Sequence, residues 1–163
     1  MTGQIILPPN YPKLENSVIF LAGPIQGALD WQKEAIKYIQ QEAPELNIAN
    51  PRREILPEEF IYAKQVDWET HYLNKASKNG VIMFWLAKEN EHLPRRAYAQ
   101  TSRFELGEWK VKHETKGIKL VIGIEEGFSN SKYIKRRISQ DCPKIKICTS
   151  LKETCQEAIN LIG

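Results

Sequence analysis

The sequence predicts an α/β fold, a three-layer α/β/α sandwich around a five-stranded parallel sheet of order 2-1-3-4-5. Three observations predict it. Short runs rich in Val and Ile alternate with longer stretches of helical period. Those runs are apolar at consecutive positions, as strands covered on both faces must be. No linker, repeat or low-complexity stretch interrupts the 163 residues, so a single domain over 1–163 is expected.

The first strand is expected at Ser17 to Gly23 (SVIFLAG). A helix follows from about Asp30, its N-cap, to Glu42, with Trp31, Ala35 and Ile39 on the buried stripe. Leu46 to Ala49 forms the second strand, ended by Asn50-Pro51 because proline cannot donate to the ladder. A long helix is expected from Pro57 to Ser77, with Pro57 in its first turn. Gly80 to Leu86 is the third strand, and after a charged loop a third helix runs from near Ser102 to just before Gly117. Lys119 to Glu125 is the fourth strand, Ser131 to Ser139 a short helix, Lys144 to Cys148 the fifth strand and Leu151 to Ile162 the last helix. Right-handed crossovers then favour the 2-1-3-4-5 order.

Composition narrows the class of function. The chain is 42% hydrophobic and 26% charged with a net charge of +3, and its densest basic spots, Arg95-Arg96 and Lys135-Arg136-Arg137, are short. No nucleic-acid partner is expected from such a mild balance. Cys142, Cys148 and Cys155 are an odd set without a CxxC pair, which fits reduced thiols in a cytoplasmic protein better than a disulfide framework or zinc site. The opening MTGQIILPPNYPKLEN lacks the basic-then-apolar pattern of a signal peptide, and no apolar run reaches membrane length, so no membrane partner is expected.

In open parallel sheets a ligand sits beyond the carboxyl ends of the strands, where the strand order reverses. That rule singles out residues 23–28, 50–53, 86–102 and 125–128. The turn Gly23-Pro24-Ile25-Gln26-Gly27-Ala28 lets backbone approach a ligand, although it is neither a GxGxxG fingerprint nor a P-loop. Asn50-Pro51-Arg52-Arg53 offers one arginine for a phosphate or carboxylate and another for a structural partner. Residues 87–100, with Arg95, Arg96 and Tyr98, are long enough to act as a lid. Trp85, Trp31 and Phe20 are candidates for an aromatic wall against a base, or simply core. His71, His92 and His113 are scattered, with no HExxH and no GxSxG, so neither a metal nor a serine nucleophile is expected, and no cofactor.

Two carboxylates stand out. With Val66, Leu73 and Ala76 as an inward stripe, Glu69 lies on the core-facing side of its helix, a costly place unless it is paired or lines a cavity. Glu105 has two readings. With Ser102 it forms the spacing of a capping box; it also sits where a helix starts beside the switch point and can face a ligand. The helix N-terminus is expected to lower its pKa.

Taken in order, several segments resemble the nucleoside 2-deoxyribosyltransferase family, in particular its 2-deoxyribosyltransferase-like branch. They are Ile19-Phe20-Leu21-Ala22-Gly23-Pro24-Ile25, Asp30-Trp31-Gln32, Asn50-Pro51-Arg52-Arg53, Gln65-Val66-Asp67-Trp68-Glu69, Met83-Phe84-Trp85 and Phe104-Glu105-Leu106-Gly107-Glu108-Trp109. The resemblance implies a flavodoxin-like fold and chemistry at C1′ of a deoxynucleoside. It implies that Glu105 is the nucleophile forming a 2-deoxyribosyl ester. Glu69 matches the second carboxylate, an aspartate in the family, which orients the nucleophile or assists the departing base. Phe20, Gly23, Pro24, Ile25, Gln26, Arg52, Arg53, Trp85 and Ser102 are then the expected substrate-binding residues, for a nucleoside or nucleotide.

Two departures bear on substrate. The family's strand tyrosine is Phe20 here, and the acidic residue that holds the sugar 5′-hydroxyl is Ala99. The leading expectation is transfer of a 2-deoxyribosyl group between bases. The alternatives are hydrolysis of nucleoside 5′-monophosphates and a non-catalytic nucleotide-sensing module. By the same resemblance a homo-oligomer is expected.

Overall fold

A computed structural model describes residues 1–163. Six parallel strands form one sheet: β1 (Ile5–Ile6), β2 (Val18–Ala22), β3 (Asn47–Ala49), β4 (Gly80–Leu86), β5 (Leu120–Ile124) and β6 (Ile147–Cys148). The helices between and after them are α1 (Trp31–Glu42), α2 (Tyr62–Lys78), α3 (Gln100–Lys116), α4 (Ser131–Asp141) and α5 (Leu151–Ile162). The spatial order is β1-β3-β2-β4-β5-β6. The expected 2-1-3-4-5 order is present as β3-β2-β4-β5-β6, so the switch point lies between β2 and β4. The expected count of five is corrected to six: β1 adds an outer edge, with Ile5 opposite Ile48 and Ile6 opposite Ala49.

Strand pleating sorts the core into two layers. Val18, Phe20, Ala22, Ile82, Phe84, Leu86, Leu120, Ile122 and Ile124 face α2, α3 and α4, where Trp68, Tyr72, Leu106, Trp109 and Ile138 pack on them. The alternate residues Ile19, Leu21, Val81, Met83, Trp85 and Val121 face α1 and α5 through Trp31, Ala35, Ile39, Cys155 and Ala158. Asp30 caps α1 by accepting from the Lys33 amide at 3.1 Å. No helix is long and apolar enough to cross a membrane.

The starts of two helices differ from expectation, and α4 runs on to Asp141 rather than ending at Ser139. α2 starts at Tyr62 rather than Pro57, because residues 54–62 are exposed and bring no apolar face to the sheet until Trp68 docks. The packed stripe is Trp68, Tyr72 and Ala76 with Leu73 beside it; Val66, taken as part of it, is 38% exposed. α3 starts at Gln100 rather than near Ser102, after Ala99 turns the chain in the left-handed region at φ 58°.

Candidate active site

The carboxyl edge of the sheet is shaped first by the turn after β2. Gly23 has φ 154°, and a Cβ there would lie 2.2 Å from the Trp85 carbonyl oxygen and 2.8 Å from the Trp31 ring. Only glycine allows β2 and β4 to leave the sheet this close together. Trp31 Nε1 donates to the Pro24 carbonyl at 2.9 Å. Arg52 then clamps the turn: Nη2 donates to the carbonyls of Ile25, Ala28 and Leu29 at 3.0, 3.2 and 3.1 Å, and Nε donates to Gln32 Oε1 at 2.9 Å. Arg52 is thus bound up in backbone. The 87–99 segment is tied to the same turn, since Asn90 and Glu91 amides donate to the Gly27 carbonyl at 2.7 and 3.0 Å. Tyr98 adds a 2.6 Å bond from its hydroxyl to the Ala87 carbonyl, and Arg95 and Arg96 remain exposed.

Glu69 projects from α2 and Glu105 from α3, the two helices on one face of the sheet, and both side chains are half-buried. Burial raises the Glu69 carboxyl above the usual range; a hydrogen bond from Gln65 and the charge of Arg53 pull partly the other way. Glu105 is pushed up to about 8, by burial first, then by the negative charges of Glu69 and Glu108. This corrects the expectation of a lowered pKa. Glu105 lies in the second turn of α3, beyond the reach of the helix N-terminus, while desolvation and like charge both oppose ionisation. The capping box is also absent: the cap position is Ala99 with no side-chain bond.

Arg53, next to the clamped Arg52, serves this pair instead. Its Nε donates to Gln65 Oε1 at 2.7 Å, Gln65 Nε2 donates to Glu69 Oε1 at 3.0 Å and to the Pro51 carbonyl at 3.2 Å. The guanidinium sits over Phe60 at 5.6 Å, and its two terminal nitrogens make no hydrogen bond within the chain. Gln65 is the residue sequence reasoning passed over. Its signal was spacing, because residues four apart on a helix meet on one face.

The aromatic wall is not assembled. Phe20 is 1% exposed and packs against Trp68 on the α2 and α3 side, with ring centroids 6.3 Å apart. Trp85 and Trp31 lie on the α1 and α5 side. Trp85 stands opposite Gly123, where a Cβ would come within 2.6 Å of its indole, so its ring is seated against β5 and α5. Ser102 is buried in α3. Ile25 and Gln26 remain at the turn, where the Ile25 carbonyl is one of the atoms Arg52 holds.

No group of three or more His, Cys, Asp and Glu side chains is placed to hold a metal ion. A cleft lined by Ser17, Lys78, Asn79, Lys116 and Lys119 opens at the opposite, amino-terminal edge and contains no carboxylate. Glu69 and Glu105 are half-buried carboxylates, both raised above the usual range, and are the candidate reactive groups. Residues 16–128 match the family model described as Nucleoside 2-deoxyribosyltransferase like, a span holding both carboxylates, both arginines and Gln65. No curated protein matches the sequence.

Proposed function

We propose that this chain, which belongs to the nucleoside 2-deoxyribosyltransferase like family, breaks the N-glycosidic bond of a 2′-deoxynucleoside and transfers the 2-deoxyribosyl group to another base through an ester on Glu105. The observation that carries this reading is the pair itself: Glu69 and Glu105, on neighbouring helices, close enough that the charge of one raises the pKa of the other. Two such carboxylates hold a single proton over the neutral range, since both cannot ionise cheaply together.

That shared proton supplies the chemistry. As the C1′–N bond breaks, its electron pair goes to the base nitrogen, which takes the proton of the pair. A Glu105 oxygen bonds to C1′, capturing the oxocarbenium-like centre. An incoming base nitrogen then attacks C1′, the ester bond returns its electrons to Glu105, and the proton lost by that base restores the pair. Glu69 orients Glu105 and carries charge when the proton has left. The Gly23–Gln26 turn, fixed by Arg52, presents backbone to the sugar, Ser102 lies on the α3 side, and Phe20 backs the site from the same core layer, while Trp85 packs on the other face of the sheet.

A second reading, hydrolysis of a nucleoside 5′-monophosphate, is favoured by Arg53, whose terminal nitrogens are free to meet a phosphate. Ala99 also provides no acid to hold a 5′-hydroxyl. Water then replaces the incoming base.

The test is chromatography of four deoxynucleosides and their 5′-monophosphates with the protein, with and without free adenine, beside Glu105→Ala. Base exchange lost in the variant supports transfer; base release, preferentially from monophosphates, supports the second reading. Binding without turnover in the wild type overturns both and leaves a nucleotide-sensing module.

A further inference from the structure

We infer that Gln65 is a positioning residue, oriented by Arg53, that holds Glu69 Oε1 as a hydrogen-bond acceptor and so assigns where the shared proton of the carboxylate pair resides. The inference rests on the reading of Glu69 and Glu105 as the reactive pair. It begins with an asymmetry of donors. Arg53 has no acceptor, so the amide face toward it must be the Gln65 oxygen, at 2.7 Å. The other end of the amide is then NH2 without choice. Its two hydrogens go to the Pro51 carbonyl at 3.2 Å and Glu69 Oε1 at 3.0 Å, which completes the amide's donor capacity.

A carboxyl oxygen that accepts from NH2 does not carry the proton itself. Glu69 Oε1 is therefore fixed as an acceptor, and the ionised form of Glu69 is favoured over that of its neighbour. The proton is left on Glu105, on the side of the pair facing away from Gln65. The charged groups acting on the pair divide the same way. Arg53, from the connection between β3 and α2, favours the ionised form of Glu69, while on the α3 side the charges of Glu69 and Glu108 oppose ionisation of Glu105. Gln65 works as a relay because Arg53 itself makes no direct bond to Glu69. Its placement four residues before Glu69 ties the relay to the first turns of α2.

The experiment uses the full chain with 13C-labelled glutamate carboxyl groups, the Glu69 signal being assigned by its loss in Glu69→Gln. Carboxyl titrations are recorded without substrate for the wild type, Gln65→Leu and Arg53→Met, and pH–rate profiles are taken with whichever deoxynucleoside the wild type turns over. In Gln65→Leu the Glu69 titration moves to higher pH, and the acid limb of the rate profile moves with it. The plateau rate falls about tenfold, the equivalent of one charge-assisted hydrogen bond. Arg53→Met moves the titration in the same direction by less, because the amide stays but is free to turn over. If Gln65→Leu does not fold, Gln65→Met, which removes the amide and keeps the charge of Arg53, decides in its place. An unmoved Glu69 titration in the folded variants overturns the relay, whatever happens to the rate. A moved titration in a protein that turns over no nucleoside keeps the relay and removes the glycosidic reading instead.

Discussion

Each face of the sheet buries an apolar layer, but the two differ at the carboxyl edge. Under α1 and α5, the residues of β2 and β4 meet Trp31, Ala35, Ile39 and Ala158, and packing alone accounts for the layer. Under α2 and α3 the same kind of packing, around Trp68, Tyr72 and Trp109, gives way at the edge to two carboxylates held against their preferred charge state. Adjacent arginines repeat the contrast: Arg52 is spent on carbonyls of the turn, and Arg53 is directed through Gln65 toward Glu69. One face is organised for stability, the other tolerates an electrostatic cost that a reaction can use.

The sharpest way to break that contrast is Glu105→Gln. Turnover is expected to fall at least about a thousandfold, roughly 4 kcal/mol of barrier. Stability should move the other way. With a folded pKa near 8 and an ordinary unfolded one, Glu105 binds more proton in the folded state, so stability falls as pH rises between them. Removing the ionisable group should therefore leave stability at pH 4 little changed and raise it at pH 8 by about 2–4 kcal/mol. Denaturant unfolding at both pH values checks this; equal stability changes at the two would mean that Glu105 carries no electrostatic strain.

On the other face, Ile39→Ala tests whether packing is the whole account. Ile39 is fully buried, and its truncation should cost about 3 kcal/mol. The loss should be the same at pH 5 and pH 8, and the folded fraction should keep its rate profile. A pH-dependent loss would tie α1 to the carboxylate pair and dissolve the distinction between the faces.

Glu69→Gln sharpens the comparison from within the site. A loss of about a hundredfold in rate is expected for a group that assists proton transfer. Because the Glu69 charge helps raise Glu105, the alkaline limb of the profile should move to lower pH. Burial, the larger cause, keeps it above the ordinary carboxylate range. An alkaline limb that stays in place would show that the two carboxylates do not act as a pair.

Much of this contrast was legible in the sequence, and the parts that were not share a physical cause. Central strands announce themselves by consecutive apolar residues, so β2, β4 and β5 and their order were readable. Ile5–Ile6 was not, because a two-residue edge strand has no period to read. Glu69 and Glu105 stand out in the sequence through a motif and a charge on the core-facing side of a helix. The grouping of Phe20 with Trp85 failed because the face of a strand residue depends on cross-strand register: Phe20 stands opposite Ile82, which puts Phe84 on its side and Trp85 on the other. The pKa of Glu105 was misjudged because helix position is local, whereas its burial and the approach of Glu69 from α2 are tertiary. The Gln65 relay needed the same tertiary knowledge, since only Arg53 settles which way its amide turns.

The smallest expected effect concerns Phe104, which stands beside Glu105 in the matched segment yet is 80% exposed. The buried positions of α3 are Ser102, Leu106, Trp109 and Lys110, which leaves residue 104 pointing away from the sheet. Phe104→Ser should change stability by no more than about 0.5 kcal/mol and leave the rate profile intact. Unfolding and turnover measured across a range of protein concentrations check both statements. A loss comparable to that of Ile39→Ala at high protein concentration, shrinking as both proteins are diluted, would mean that a second copy of the chain covers this ring. The relevant comparison would then run between three packed surfaces rather than two, with the carboxylate pair lying beside the third.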